Sequence, residues 1–168
     1  MVLSKSNTML DEIVAYNQMD FSLNSRYLWI WNPTDIPPHM GLSIDGRYFS
    51  LKANGVDLNS NLNDLIEIIL RKKIPVLALE LAAEFTLEDC KGIFSTFERT
   101  IAHEVTCLNP IKSVLNTHSP RKLAELLDEI QSKGIIRRKI VWNINQTSIE
   151  LPEYSMEDIH AHLVSLSK

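Results

Sequence analysis

Residues 39–52, HMGLSI-DG-RYFSLK, limit what this chain can fold into more than any other stretch. Two runs of strand-forming residues flank Asp45-Gly46. Both central positions of a type I′ turn need φ > 0, which this pair accommodates. A two-residue hairpin fixes an antiparallel pair and its register. The same stretch places His39 at the mouth of the hairpin, just after Pro37 and Pro38.

The rest of the chain divides by similar signals. Thr8 and Asp11 resemble a capping box, and LDEIVAY has apolar residues at helical spacing, which predicts a first helix over about 8–19. The aromatic run RYLWIWN (26–32) predicts a strand and PTDIPP (33–38) a loop. ANGVD reads as a further turn. NLNDLIEIILRK (61–72) is amphipathic, with Leu62, Leu65, Ile66 and Ile69 on one face. PVLALEL (75–81) is apolar on both faces except at Glu80, so it is expected in the middle of a sheet. Thr86 with Asp89 caps a helix over 86–101, and Ser119-Pro120 opens another that stops at Gly134. Strands follow at 135–144 and 148–151. Ser155 with Asp158 caps a last helix. The fold class is α+β, with helices beside a mostly antiparallel sheet.

A chain of 168 residues, 45% hydrophobic and 23% charged, can bury one sizeable core. A single domain over 1–168 is expected. A net charge of −4 argues against nucleic acid as a partner. The basic runs at 71–73 and 137–139 flank a helix end and a strand, where a solvated face accounts for them. No signal-peptide pattern opens the chain, and the longest apolar run, 74–83, is too short to span a bilayer. A cytoplasmic location is expected. Two cysteines, Cys90 and Cys107, form neither a disulfide framework nor a metal spacing, so no cofactor and no metal is expected. Substrate and oligomeric state are left open.

The residues with chemical potential are few. Cys107 stands before the short helix of TCLNPIKSVL (106–115). A thiol there meets free backbone N–H groups that favour thiolate and can hold an oxyanion. His39 is the base that such a nucleophile needs. A third polar group would orient the ring, and Ser50 and Glu80 are both candidates. The plainer readings are a surface histidine and a buried structural cysteine. Cys90, inside a helix, belongs to the core. His103 and Glu104 precede Cys107 and are expected in solvent. His160 and His162 lie two apart and face different ways, a poor metal pair.

PHMGLSIDGRYFSL, followed by a helix and then by Cys107, resembles the circularly permuted NlpC/P60 papain-like proteins, including the lecithin:retinol acyltransferase-like group. The resemblance covers about 26–116, leaving 117–168 as a C-terminal helix–strand–helix extension. It implies a permuted papain-like architecture and acyl transfer or hydrolysis at an amide, ester or thioester. In this reading Cys107 attacks, His39 relays the proton, and the third position falls at Ser50. The family's third residue is often histidine, so a catalytically inactive binding or regulatory module of the same fold is the alternative. A nucleophilic Cys107 beside an imidazolium would ionise well below the ordinary thiol range. A third reading is an unrelated α+β interaction domain that associates through the aromatic strand 26–32. That reading expects the His39 strand not to pack against the helix after Cys107.

Overall fold

A computed structural model describes residues 8–167. Nine strands and five helices occur among them. The strands are β1 (Thr8–Leu10), β2 (Ile13–Ala15), β3 (Arg26–Trp31), β4 (His39–Ile44), β5 (Arg47–Lys52), β6 (Gly55–Asn61), β7 (Val76–Leu81), β8 (Ile136–Trp142) and β9 (Ile149–Leu151). The helices are α1 (Leu62–Lys72), α2 (Leu87–Phe94), α3 (Leu108–Val114), α4 (Leu123–Ser132) and α5 (Met156–Leu166). Seven strands form one sheet in the order β2-β8-β7-β3-β4-β5-β6, and β1 pairs with β9 separately. Every pair is antiparallel except β2 with β8. The α+β class and mostly antiparallel sheet follow directly.

The hairpin forms as its turn requires, with Asp45 at φ 53° and Gly46 at φ 73°. β7 lies between β8 and β3, which explains why its residues are apolar on both faces. Asn61 ends β6 and caps α1 by accepting the Asp64 N–H, while Arg71 and Lys72 occupy the last turn of α1. The Thr86–Asp89 and Ser155–Asp158 capping boxes both form. α2 is shorter than its spacing predicts. The Ser95 and Thr96 hydroxyls turn back onto the Gly92 and Ile93 carbonyls at its end, and Ile101 then bridges to Val105.

Two expectations fail for reasons of tertiary pairing. The predicted first helix over 8–19 is absent. Glu12 takes φ 59° and breaks the segment into β1 and β2, which β9 and β8 recruit. Three residues of ladder pairing on each side outweigh a short helical pattern, which is marginal without a packed face. The turn expected at ANGVD is shorter than supposed and leads into β6. That edge strand is too polar to show alternation, and its register shifts between Tyr48 and Ser50 of its partner.

Both faces of the sheet are covered. On one, α2 to α5 bury Phe94, Ile111, Leu126, Leu127 and Ile159 against Leu28, Met40, Leu42, Phe49 and Leu77. On the other, α1 packs Leu62, Ile66 and Ile69 onto Tyr27, Trp29, Tyr48 and Trp142. Residues 117–168 are no appendage. β8 sits inside the main sheet, and α4 and α5 complete the core that α3 shares.

Candidate active site

His39 is the first residue of β4, opposite Trp31 of β3. Side chains alternate along a strand, so His39, Gly41 and Ser43 face one way and Met40 and Leu42 the other. Ser43 pairs with Tyr48, which places Tyr48, Ser50 and Lys52 on the His39 face. Cys107 stands at the start of α3, where the Thr106 hydroxyl accepts the Leu108 N–H, and packs against the opposite core, the one containing Met40. A regular sheet would keep the thiol and the imidazole apart.

The sheet is not regular at this point. The β4–β5 ladder runs only from Leu42 to Ile44 opposite Phe49 to Arg47. Beyond it the two strands part. The Lys52 carbonyl accepts the Thr100 N–H at 2.9 Å, so the loop after α2 takes the place of β4 there. The Met40 N–H, like that of Cys107 itself, favours the Cys107 thiolate. A pocket of about 70 Å³ fills the split, lined by His39, Met40, Leu51 and Lys52 from the two strands, with Cys107 among its other walls. His39 and Cys107 thus reach one cavity from opposite faces of the sheet. Ile159, His162 and Leu163 of α5 form another wall.

Electrostatics keeps both groups neutral. Burial pushes the Cys107 thiol up to about 11, against the two N–H groups that favour the thiolate. Burial likewise lowers His39 to about 4. The Asp57 carboxylate opposes that shift, whereas Lys52 and His162 add to it. This corrects the expectation of a thiolate favoured below the ordinary thiol range. The free protein holds a thiol and a neutral imidazole.

The two candidate orienting residues lie in different places. Ser50 is fully buried and its hydroxyl donates to Asp57 at 2.7 Å. Asp57 also pairs with Lys52 at 3.1 Å. Ser50 therefore holds the carboxylate that acts on His39. Glu80 lies away from the pocket. It pairs with Tyr27, at the other end of β3 from the Trp31–His39 pair, about 13 Å along the strand. There it receives Arg138 at 3.1 Å and the Tyr27 hydroxyl at 3.3 Å.

Sequence reading missed Asp57 and took His162 only as half of a poor metal pair. Asp57 lies in the segment taken for a turn, and pairing to Ser50 is what brings it to the site. His162 faces the pocket while His160 turns to His103, consistent with their spacing on α5. Cys90 is buried in the core, its thiol pushed up to about 12 by burial. The aromatic strand β3 lies inside the sheet, between β7 and β4. Trp29 is completely buried, and Trp31 is half-buried with its indole N–H donated to Tyr48 at 2.8 Å. α3 does pack on β4, against the expectation of the interaction-domain reading. Among the described residues, no helix is long and apolar enough to cross a membrane. Comparison with protein-family models, with characterised proteins and with solved structures finds no match.

Proposed function

We propose that this protein is a cysteine-dependent hydrolase or acyltransferase acting on an amide, ester or thioester. One observation carries the reading: Cys107 and His39 line one small cavity in the split between β4 and β5, and the Met40 N–H favours the Cys107 thiolate. Because both groups rest neutral, His39 acts as a general base during attack. The thiol proton passes to His39 as the sulfur–acyl bond forms. The carbonyl oxygen gains charge, and the Met40 and Cys107 N–H groups that favour the thiolate are the donors assigned to it. The imidazolium returns its proton to the leaving group as the old acyl bond breaks. Water or a second acceptor then releases the acyl group. Asp57, held by Ser50, favours the transient imidazolium.

The test is incubation with p-nitrophenyl butyrate, followed by intact-protein mass spectrometry and peptide mapping. One butyryl group should appear on Cys107 and not on Cys90, and both Cys107→Ser and His39→Ala should abolish it. Equal labelling of the two thiols, or none, rejects the reading.

A non-catalytic module is the second reading, and the neutral pair favours it. A thiol near 11 and an imidazole near 4 exchange a proton only at a cost on the order of 10 kcal/mol before the new charges attract each other. The same labelling experiment separates the two readings.

A further inference from the structure

A second cavity of about 180 Å³ adjoins the Cys107 pocket. Thr106, Leu108 and Arg121 line both. The two differ in chemistry. The Cys107 pocket is walled largely by apolar side chains, among them Pro37, Leu51 and Leu163. Its lysines are occupied, Lys52 by Asp57 at 3.1 Å and Lys122 by Glu153 at 3.5 Å. The neighbouring cavity contains Lys112 and Arg121 facing a single carboxylate, Glu104. Neither cation takes part in an ion pair among the described residues. Its histidine wall is fixed, because the His103 N–H donates to His160 Nδ1 at 2.8 Å and the two rings stack at 4.5 Å.

Size decides what each half can take. One water needs roughly 10–15 Å³ on this scale, so about 70 Å³ admits only a few non-hydrogen atoms. A short acyl group fits beside Cys107. The neighbouring cavity is more than twice as large and positive, in a chain whose net charge is −4. Arg121 is exposed and Lys112 half-buried, and cations without partners attract anionic groups.

We propose that the two cavities form one bipartite site for a short acyl group carried on an anionic leaving group, a carboxylate or a phosphate, with Arg121 at the junction and Lys112 beyond it. This rests on the acyl-transfer reading and names its substrate class. Attack by the Cys107 sulfur forms the new acyl bond and breaks the bond to the carrier. The proton taken by His39 goes to the departing group, whose charge stays with Arg121 and Lys112.

Two measurements test it. In the first, the full chain is offered butyryl thioesters of a neutral carrier, N-acetylcysteamine, and of an anionic one, coenzyme A. Acylation of Cys107 should be at least about tenfold more efficient with the anionic carrier, a preference worth about 1.4 kcal/mol. Added salt should erode it. Arg121→Gln and Lys112→Gln should each reduce the preference, and Arg121→Lys should keep most of it. In the second, Cys107→Ser is titrated with n-butyl phosphate, butyrate and n-butanol by calorimetry. Either anion should bind more tightly than the alcohol, through Arg121, and their ranking distinguishes phosphate from carboxylate. Equal binding of all three overturns the proposal even if Cys107 is acylated. Arg121-dependent anion binding with no acylation from either thioester upholds the anion site and removes the acyl-transfer reading.

Discussion

The Tyr48 hydroxyl lies over Gly41, in the space that a β-carbon at residue 41 would occupy. The Tyr48 ring is fully buried and its hydroxyl accepts the Trp31 indole N–H, so it cannot swing away. Gly41→Ala should therefore cost about 1–3 kcal/mol, the range of overpacking in a dense interior. Urea unfolding measures it. An unchanged midpoint would mean that Tyr48 yields.

Stability should fall on acidification because of His39. Its folded value is lowered to about 4, below the unfolded value near 6.5. The unfolded state thus binds the proton first as pH falls through 6.5. Stability present above that point is lost between about 6.5 and 4, to a limit of about 3 kcal/mol. His39→Gln should flatten this part of the profile. Parallel profiles for the two proteins, followed by urea unfolding at pH 4.5 and 7, would contradict the assignment.

Alkylation of Cys107 by iodoacetamide should be slow at pH 7 and rise toward a midpoint near 11. His39→Ala should leave that curve in place, because the resting imidazole carries no charge to stabilise a thiolate. A wild-type midpoint below 8 that His39→Ala raises would show a preformed ion pair instead. The measurement is the rate at Cys107, read peptide by peptide against pH.

Ser50→Ala should destabilise the fold by about 1–2 kcal/mol, since its buried hydroxyl donates to a carboxylate. It should also lower acylation at Cys107, by freeing Asp57 from its position. Glu80→Gln disturbs only the contacts to Arg138 and Tyr27, so acylation should be unaffected. If Glu80→Gln suppressed acylation as strongly as Ser50→Ala, the placement of the two residues would be refuted.

Local signals carried much of the fold. Asp45-Gly46 specified its turn, and Thr86–Asp89 and Ser155–Asp158 specified their helix starts, because each acts through atoms a few residues apart. β1 and β2 were illegible because their state is decided by β9 and β8, more than a hundred residues away. Cys107 and His39 could be nominated by residue type. The loss of β4–β5 pairing that lets them line one cavity could not, since it depends on where Thr100 bonds to Lys52. Asp57 escaped for a related reason. Nothing in GVDLNSN marks a strand, and only the ladder to β5 brings its carboxylate toward His39.

The placement of β8 between β2 and β7 has a consequence for how the molecule is made. A chain leaving the ribosome exposes β1 to β7 before β8, with one flank of β7 unpaired and the β4–β5 split open toward missing walls. β8 must then enter between strands synthesised long before it, and α5 arrives last to enclose the cavity. Such distant pairings are slow to form. Until Ile159 and Leu163 are in place, Cys107 faces water on the side that they will cover. The nascent thiol is then more open to solvent, and to oxidants, than the thiol of the finished protein.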